Sequence, residues 1–278
     1  MVLISSIEKL KEVLFRVKSN GKSVGLVPTM GALHEGHLSL LERAKAESQV
    51  VVATIFVNPI QFNNSDDLKN YPRTLDSDLN LIQDLADIVF APSVDEIFPS
   101  PPSEKYDFGA LESVMEGASR PGHFNGVATI VKRLFDYVNP DKAFFGEKDF
   151  QQLAIIKELV KQYQLDITIV PCPIVREPNG LAMSSRNQRL TLAERDIAAK
   201  VYEILYHSLE LTHTNPDLIF NYVISEVNQI KDIRLEYFQI VDDTTLQNVE
   251  AFEEGKGVVG CIAFYIRDIR LIDNVRYH

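Results

Sequence analysis

The sequence predicts an α/β protein with a doubly wound parallel sheet, followed by a smaller α+β domain. Two observations predict this fold class. Short runs rich in β-branched residues alternate with helical patterns over residues 1–171, as expected for parallel strands joined by helices. After Pro171 and Pro173 the alternation gives way to one long helical pattern and two strand-like runs. We therefore expect a first domain at residues 1–175 and a second at residues 176–278.

The elements of the first domain follow from periodicity and capping signals. Ser5 and Glu8 have the spacing of a capping box, which predicts that the first helix begins there. Apolar runs with the length and composition of buried strands lie at residues 24–27, 50–57, 87–90, 143–145 and 167–170. Apolar residues at helical spacing predict helices around residues 38–44, 74–85, 127–138 and 153–163. The stretch 92–125, which is rich in Pro and Gly, is expected to be irregular.

The second domain has fewer signals. Thr191 and Glu194 form another capping-box pattern, which predicts a helix that runs to about residue 211. Residues 235–241 and 258–266 have the composition of strands. Together they indicate an α+β domain.

Composition and charge exclude several classes of function. The chain has 278 residues, 45% of them hydrophobic, and a net charge of −11, so it lacks the broad basic face that nucleic acids or membrane surfaces require. Its two cysteines make neither a disulfide framework nor a metal set. The N-terminus does not have the unbroken apolar stretch of a signal peptide, and no apolar run is long enough for a membrane span. We expect a cytoplasmic protein that binds neither nucleic acid nor membranes.

Two apparent motifs fail on spacing. Gly21-Lys22-Ser23 ends like a phosphate-binding P-loop, but the position where that motif requires its first glycine holds Arg16. The stretch from His34 to His37 places its histidines three apart rather than the four of a zinc-binding HExxH helix.

The stretch PTMGALHEGHLSLLERA at residues 28–44 joins an expected strand to an expected helix. In an open α/β sheet, ligands bind beyond the carboxyl ends of the strands, which is where residues 28–37 would lie. The helix is expected to begin near Gly36 or His37, and its free N–H groups and dipole would favour an anion. Histidines at that position can donate hydrogen bonds to phosphate oxygens. The alternative is a tight turn followed by ordinary surface histidines.

Two further stretches carry groups suited to an oxyanion. Residues 176–187, REPNGLAMSSRN, place two hydroxyls beside the permanent cation of Arg186, which can hold phosphate in a fixed fork. Residues 145–149, FGEKD, place Lys148 at the end of an expected strand, with Asp149 positioned to cap the next helix. The alternatives are a polar interdomain loop for the first stretch and an exposed turn for the second.

With these stretches the chain resembles the pantothenate synthetase family, whose members join pantoate to β-alanine. The resemblance is carried by PTMGALHEGH (28–37), FVNPIQF (56–62), YPRT (71–74), RPGHFNGV (120–127), FGEKDFQQL (145–153) and AMSSRN (182–187). The family implies a Rossmann-like nucleotidylyltransferase fold with HIGH and KMSKS motifs. HEGH would be the equivalent of HIGH, and MSSRN the equivalent of KMSKS, with Arg186 in place of a lysine.

The resemblance implies a reaction in two steps. The carboxylate of pantoate attacks the α-phosphorus of ATP to give pantoyl adenylate and pyrophosphate, and the amine of β-alanine then attacks the acyl carbon to give pantothenate and AMP. Such chemistry needs positioned donors for phosphate charge rather than a protein nucleophile.

The resemblance also assigns roles to particular residues. The catalytic residues would be His34, His37, Lys148 and Arg186. The nucleotide would be held by these four and by Met30, Gly31, Gly36, Gly146, Asp149, Val175, Met183, Ser184 and Ser185. Pantoate would be bound by Gln61 and Gln152, with Asn58 near the same pocket.

Further expectations concern the metal, the assembly and a hinge. Mg²⁺ should accompany ATP, and Asp76 and Asp78 are its candidate ligands, although both could equally be first-turn helix acids. The resemblance implies a homodimer. A hinge at residues 173–177 would let the second domain close as a lid over ATP and exclude water.

Two competing functions remain open at this point. Another nucleotidylyltransferase, which would transfer AMP to a phosphate-bearing acceptor, explains HEGH but not the pair Gln61 and Gln152. A non-catalytic nucleotide sensor would need affinity for ATP but no cluster of histidines, lysine and arginine.

Overall fold

The computed structural model describes residues 1–212 and 215–277. The chain divides into two compact units. The N-terminal unit comprises Met1–Phe108, Arg120–Glu147 and Gln152–Pro173, and the C-terminal unit comprises Gly109–Ser119, Lys148–Gln151 and Ile174–His278. The main boundary lies at residues 173 and 174, beside the expected one at 175 and 176, and two inserted segments group with the C-terminal unit.

A six-stranded parallel sheet is the framework of the N-terminal unit. Its strands are β1 (Val2–Ile4), β2 (Val24–Thr29), β3 (Val50–Ile55), β4 (Ile88–Phe90), β5 (Lys142–Gly146) and β6 (Thr168–Cys172). Their order across the sheet is β1-β4-β3-β2-β5-β6. From β2 the chain adds β3 and β4 on one side, and it then returns to add β5 and β6 on the other side of β2. Ligands of open α/β sheets bind at such a reversal, beyond the carboxyl ends of the strands, here next to Thr29 and Gly146.

Helices connect the strands and continue into the C-terminal unit. In chain order they are α1 (Ile7–Ser19), α2 (Glu35–Glu47), α3 (Ser65–Asn70), α4 (Leu75–Ile82), α5 (Val94–Ile97), α6 (Met115–Ser119), α7 (His123–Val138), α8 (Phe150–Gln162), α9 (Leu192–Ser208) and α10 (Pro216–Asn228). Short 3₁₀ turns lie at Pro59–Gln61, Gly109–Glu112, Glu147–Asp149, Ser185–Arg189 and Leu209–Leu211.

Both faces of the parallel sheet are covered, which explains its nearly continuous apolar strands. Val27 and Phe144 lie on one face and belong to the same buried cluster as Leu41 and Ala44 of α2. On the other face the ring of Phe145 meets the ring of Phe135 from α7 edge to face, with centroids 6.5 Å apart. The predicted doubly wound parallel sheet is confirmed.

The C-terminal unit contains a three-stranded antiparallel sheet with helices packed on it. Its strands are β7 (Ile233–Asp242), β8 (Val258–Ile266) and β9 (Ile269–Arg276), in that order. Leu205 of α9, Ile219 of α10 and Phe264 of β8 are almost completely buried in a separate core. This arrangement confirms the smaller α+β architecture.

Several local expectations are corrected. The cap of α1 is Ser6 rather than Ser5, because the Ser6 hydroxyl accepts the N–H of Lys9. The stretch expected to be irregular contains α5 and α6, and α7 begins at His123 rather than Val127. Besides α5 and α6, four further elements were not expected: β1, α3, α10 and β9.

In the described ranges, 1–212 and 215–277, no helix combines the length and apolar character needed to cross a lipid bilayer.

Candidate active site

The turn after β2 is fixed by a buried carboxylate. Gly31 and Ala32 both have positive φ, 80° and 51°, so the chain turns sharply here. Asp78 of α4 is 2% exposed, and its two oxygens accept the N–H groups of Ala32 at 3.0 Å and Leu33 at 2.8 Å. A Cβ on Gly31 would lie 3.1 Å from Asp78 Oδ2, closer than such contacts normally come. Asp78 thus clamps the turn that leads to the histidines.

The two histidines lie at the start of α2, which begins at Glu35 rather than at Gly36 or His37 because His34 itself is the N-cap. The Nδ1 of His34 accepts the N–H of Gly36 at 3.1 Å, and the Nδ1 of His37 accepts the N–H of His34 at 3.3 Å. Their ring centroids are 4.1 Å apart. Since each Nδ1 is an acceptor, each neutral ring carries its proton on Nε2. The pair thus offers Nε2–H donors at a helix N-terminus, where the helix dipole favours an anion.

The 3₁₀ turn at Pro59–Gln61 presents an amide of defined polarity. Asn58 is 1% exposed, and its Nδ2 donates to the carbonyl oxygen of Gly126 at 3.0 Å and to Oε1 of Gln61 at 2.9 Å. A backbone carbonyl only accepts, so the amide orientation of Asn58 is determined, and with it that of Gln61. The Nε2 of Gln61 then contacts the sulfur of Met30 at 3.0 Å, which is a weak acceptor. Gln61 therefore presents a hydrogen-bond donor.

The second predicted glutamine lies on the first turn of α8. Gln152 is partly exposed, whereas its neighbour Gln151 is buried. The Nε2 of Gln151 donates to the carbonyls of Leu111 and Val114, at 2.7 and 2.9 Å. Gln151 is therefore committed to holding the segment 109–119, and Gln152 is the accessible glutamine of the pair.

Lys148 lies in the 3₁₀ turn Glu147–Asp149, directly after β5. Its carbonyl accepts the Nδ2 of Asn274 on β9 at 3.1 Å, within the C-terminal unit. Asp149 is the last residue of this turn and immediately precedes α8. A Cβ on Gly146, at the end of β5, would meet no atom within 4 Å, so the backbone has open space beside it.

The loop that carries the Ser-Ser-Arg sequence is anchored at its base by Arg176. Its guanidinium contacts both oxygens of Asp273 on β9, at 2.7 and 2.9 Å, and lies 3.5 Å from the ring centroid of Tyr202. Asp273 is 6% exposed, so this is a buried bidentate ion pair with a fixed geometry.

The remainder of this loop is tied by its own backbone and by Asn187. The N–H of Met183 donates to the carbonyl of Val175 at 3.0 Å. Ser184 caps the 3₁₀ turn Ser185–Arg189 by accepting the N–H of Arg186 at 3.3 Å. The buried Asn187, directly after the Ser-Ser-Arg segment, donates to Oε1 of Glu177 at 2.7 Å. This hydrogen bond holds the end of the segment in place.

The candidate metal ligands differ in their surroundings. Asp76 is exposed on the first turn of α4, whereas Asp78 is buried and also accepts the hydroxyl of Thr74 at 3.2 Å. Within the described part of the chain, no group of three or more His, Cys, Asp or Glu side chains is arranged to hold a metal ion. The geometry favours a loop-clamping role for Asp78, and its predicted role as a Mg²⁺ ligand stays a prediction.

The predicted site residues are divided between the two units. The N-terminal unit contains Met30, Gly31, His34, Gly36, His37, Asn58, Gln61, Asp76, Asp78, Gly146 and Gln152. The C-terminal unit contains Lys148, Asp149, Val175, Met183, Ser184, Ser185 and Arg186. Within the first group, the structure brings together Met30, Asn58 and Gln61, and it pairs His34 with His37.

Sequence reasoning missed the supports of these residues. Asp78 as a clamp, Asn274 beside Lys148 and Asp273 beside Arg176 all act across long sequence separations. Such contacts have no local spacing signal. The motif at residues 120–127 is visible in the sequence, but its contacts with the turn at Gln61 have no local sequence signal.

Comparisons with known proteins agree over the whole chain. A family model described as pantoate-beta-alanine ligase matches residues 2–276. Pantothenate synthetase of Bacteroides fragilis strain YCH46 is 51% identical over 280 residues, covering 100% of this chain and 99% of that protein. The relative from Porphyromonas gingivalis strain W83 is 47% identical, with the same coverage.

Solved structures give the same result. Pantothenate synthetase from Thermus thermophilus superposes with a TM-score of 0.94 at 38% identity, covering 100% of both chains. Pantoate-beta-alanine ligase from Francisella tularensis, complexed with beta-gamma ATP and beta-alanine, superposes with a TM-score of 0.84 at 36% identity, covering 100% of this chain and 98% of that one.

Proposed function

The chain belongs to the pantoate–β-alanine ligase family, whose reaction joins pantoate to β-alanine, and we propose that it does so with ATP through a pantoyl-adenylate intermediate. The observation that carries this proposal is the histidine pair at the start of α2. Its two Nε2–H donors and the helix N-terminus suit a triphosphate at the carboxyl end of a parallel sheet. The complex of the Francisella tularensis relative with ATP and β-alanine supports the choice of substrates.

In the first step a carboxylate oxygen of pantoate attacks the α-phosphorus of ATP. The bond from that phosphorus to the bridging oxygen breaks, and pyrophosphate leaves with the electron pair. Negative charge increases on the phosphate oxygens in the transition state, where the Nε2–H groups of His34 and His37 donate hydrogen bonds to them. Because these donors are held by backbone contacts, little reorganisation is needed during the reaction.

In the second step the amine of β-alanine attacks the acyl carbon of the adenylate. The carbon–oxygen bond to AMP breaks, AMP leaves with the electron pair, and the new amide nitrogen loses a proton. The chain supplies orientation and charge stabilisation, and no covalent bond to the protein is required.

Lys148 and Arg186 are proposed to balance phosphate charge, with hydrogen bonds from Ser184 and Ser185. The anchoring of their backbone segments by Asn274 and Arg176 supports this role, since a segment that is ordered before binding loses less entropy on binding. The proposed remaining contacts of the nucleotide are Met30, Gly31, Gly36, Gly146, Asp149, Val175 and Met183.

Pantoate is proposed to bind at Gln61 and Gln152. Gln61 donates its Nε2–H to a carboxylate or hydroxyl oxygen, and that oxygen is a better acceptor than the sulfur of Met30. Asn58 acts behind it by fixing the polarity of the amide. Neutral amides orient a hydroxy acid without neutralising the carboxylate that must attack.

Mg²⁺ is proposed to arrive with ATP. The oxygens of Asp78 are engaged by the turn at residues 31–33, and Asp76 alone does not make a protein site. This donor set fits an ion that is held mainly by phosphate oxygens and water, as is usual for Mg²⁺. A homodimer and a cytoplasmic location complete the proposal, and the hinge at residues 173–177 stays a prediction.

An AMP-release assay tests this function. The protein is incubated with ATP and pantoate, with and without β-alanine, and AMP is measured. We expect AMP release that requires pantoate and increases strongly with β-alanine. An adenylyltransferase that makes a stable nucleotide product would release no amine-stimulated AMP, and a nucleotide sensor would release none under any condition.

A further inference from the structure

The first turns of α7 lie against the turn that carries Gln61. They belong to the motif RPGHFNGV at residues 120–127, to which the reaction chemistry assigns no role. Three separate contacts, made by Gly126, His123 and Asn58, connect α7 to that turn within the N-terminal unit.

Gly126 allows the closest of these approaches. A Cβ at this position would lie 2.5 Å from the carbonyl oxygen of Ile60 and 2.9 Å from Cα of Gln61. Both atoms belong to the backbone, which cannot rotate away as a side chain can. Any larger residue at 126 must therefore displace the turn that carries Gln61.

His123 holds the same turn by a buried hydrogen bond. The ring is 6% exposed, and its Nδ1 is 2.9 Å from the carbonyl oxygen of Gln61. A carbonyl oxygen only accepts, so Nδ1 of His123 is the donor. Arg120 adds a longer contact to the same oxygen, at 3.4 Å.

The carbonyl of Gly126 also sets the direction of the Gln61 side chain. It accepts Nδ2 of Asn58, which donates its other hydrogen to Oε1 of Gln61, leaving Nε2 of Gln61 directed to the position of the Met30 sulfur. The helix thus determines both the place of the Gln61 backbone and the polarity of its amide.

We propose that Gly126 and His123 are positioning residues for pantoate, which act by holding Gln61 as a donor toward an oxygen of the hydroxy acid. This inference rests on the proposed function, because it uses Gln61 as a pantoate ligand. It predicts a selective effect on pantoate, since the contacts described above for both residues are with the turn that carries Gln61. Loss of one such hydrogen bond, or displacement of the turn, should weaken pantoate binding by about tenfold or more.

The test compares four variants by steady-state kinetics with each substrate varied in turn. Gly126→Ala introduces the clashing Cβ, and His123→Leu removes the donor. His123→Asn places an amide nitrogen near the position of Nδ1 and should restore the bond. Thr129→Val is the matched control, because Thr129 is a buried α7 residue whose hydroxyl donates to the carbonyl of Asn125 rather than to the Gln61 turn.

We expect Gly126→Ala and His123→Leu to raise the KM for pantoate by at least about tenfold, and the KM for ATP by less than about threefold. His123→Asn and Thr129→Val should keep the KM for pantoate within about threefold of the parent value. If Gly126→Ala does not fold, the comparison of His123→Leu with His123→Asn decides the question.

Two results would overturn the inference while leaving the proposed function intact, provided that the parent protein is active. In the first, the His123→Leu variant has an unchanged KM for pantoate. In the second, the KM values of the variants for pantoate and ATP rise together, in proportion to their loss of thermal stability. A parent protein that releases no AMP from ATP and pantoate would instead reject the proposed function, and the inference with it.

Discussion

The histidines at residues 34 and 37 differ from His123 in the nitrogen that donates. In the first two, Nδ1 accepts a backbone N–H, whereas in His123 it faces a carbonyl oxygen. The same side chain thus provides an Nε2–H donor in one place and an Nδ1–H donor in the other. The sequence predicts that the first pair binds an anion, but the tautomers depend on backbone groups that only the fold places beside the rings.

Replacement of His37 by Ala tests the role of the pair. It removes an Nε2–H donor from the developing phosphate charge, so we expect kcat to fall by about 10²–10³-fold. The measurement is steady-state AMP release at saturating substrates. His207→Ala, at an exposed position on α9, is the control and should leave kcat unchanged. A His37→Ala variant with kcat near that of the parent would contradict the assignment.

Replacement of Asp78 by Asn tests the clamp on the turn after β2. The amide can accept only one of the two N–H groups that the carboxylate accepts, and its NH₂ would face the other. We expect the free energy of unfolding to fall by about 1–3 kcal/mol, as measured by urea denaturation. Asp76→Asn, at an exposed position of the same helix, should be nearly neutral. Unchanged stability of Asp78→Asn together with altered Mg²⁺ dependence would favour the metal role instead.

At the scale of elements, the sequence predicted most of those with a long apolar pattern, but it missed the capped 13-residue helix α10. The strand β8 has the expected bounds, and the capping box of Thr191 and Glu194 opens α9 as expected. The short strand β1 was missed because its three residues are too few for a period. The missed strand β9 has apolar residues at 269, 271 and 275, but the alternation is broken at Asp273, whose buried carboxylate pairs with Arg176.

An ion pair connects α7 to the segment before Gly109, and it predicts how the stability of the protein depends on pH. The guanidinium of Arg133 donates to Glu104 and holds the pKa of that carboxyl below its usual 4.5. Because the folded pKa is lowered, the stabilisation is complete above the unfolded pKa and is lost as pH falls through the folded value.

We therefore expect the stability difference between the parent protein and Glu104→Gln to be larger at pH 6 than at about pH 3.5. Urea denaturation at several pH values measures this stability difference. Because Arg133 is present in both proteins, the comparison isolates the effect of the Glu104 carboxyl. A difference that grows as the pH falls would contradict the direction of this pKa shift.

At the scale of the whole molecule, the chain forms two cores, and the predicted site residues are distributed over the sequences of both units. The alternation of strands and helices in the first 171 residues predicts the parallel sheet and places the motifs beyond the carboxyl ends of strands, but the order of the strands and the position of the reversal are known only from the structure. What could not be predicted is the membership of residues 109–119 and 148–151 in the C-terminal unit. That membership depends on contacts such as Lys148 with Asn274, across more than a hundred residues.

Each unit also buries one cysteine, and this burial predicts how fast the thiols of the folded protein react with a disulfide reagent. Burial raises the pKa of Cys172 to about 11 and that of Cys261 to about 12, so neither forms appreciable thiolate at pH 8. We expect the native protein to react with a disulfide reagent only slowly, and both thiols to react at once after unfolding in denaturant. Rapid reaction of either thiol in the native protein would show that the structure around it opens.

The measurement that tests the central claim most directly is the fate of the pantoate carboxylate oxygen. Pantoate labelled with ¹⁸O in its carboxylate is incubated with ATP and β-alanine, and the AMP produced is examined by mass spectrometry. Attack of that carboxylate on the α-phosphorus, followed by cleavage of the acyl carbon–oxygen bond, predicts AMP that contains one ¹⁸O atom. Unlabelled AMP, or formation of ADP and phosphate in place of AMP, would contradict a pantoyl-adenylate intermediate.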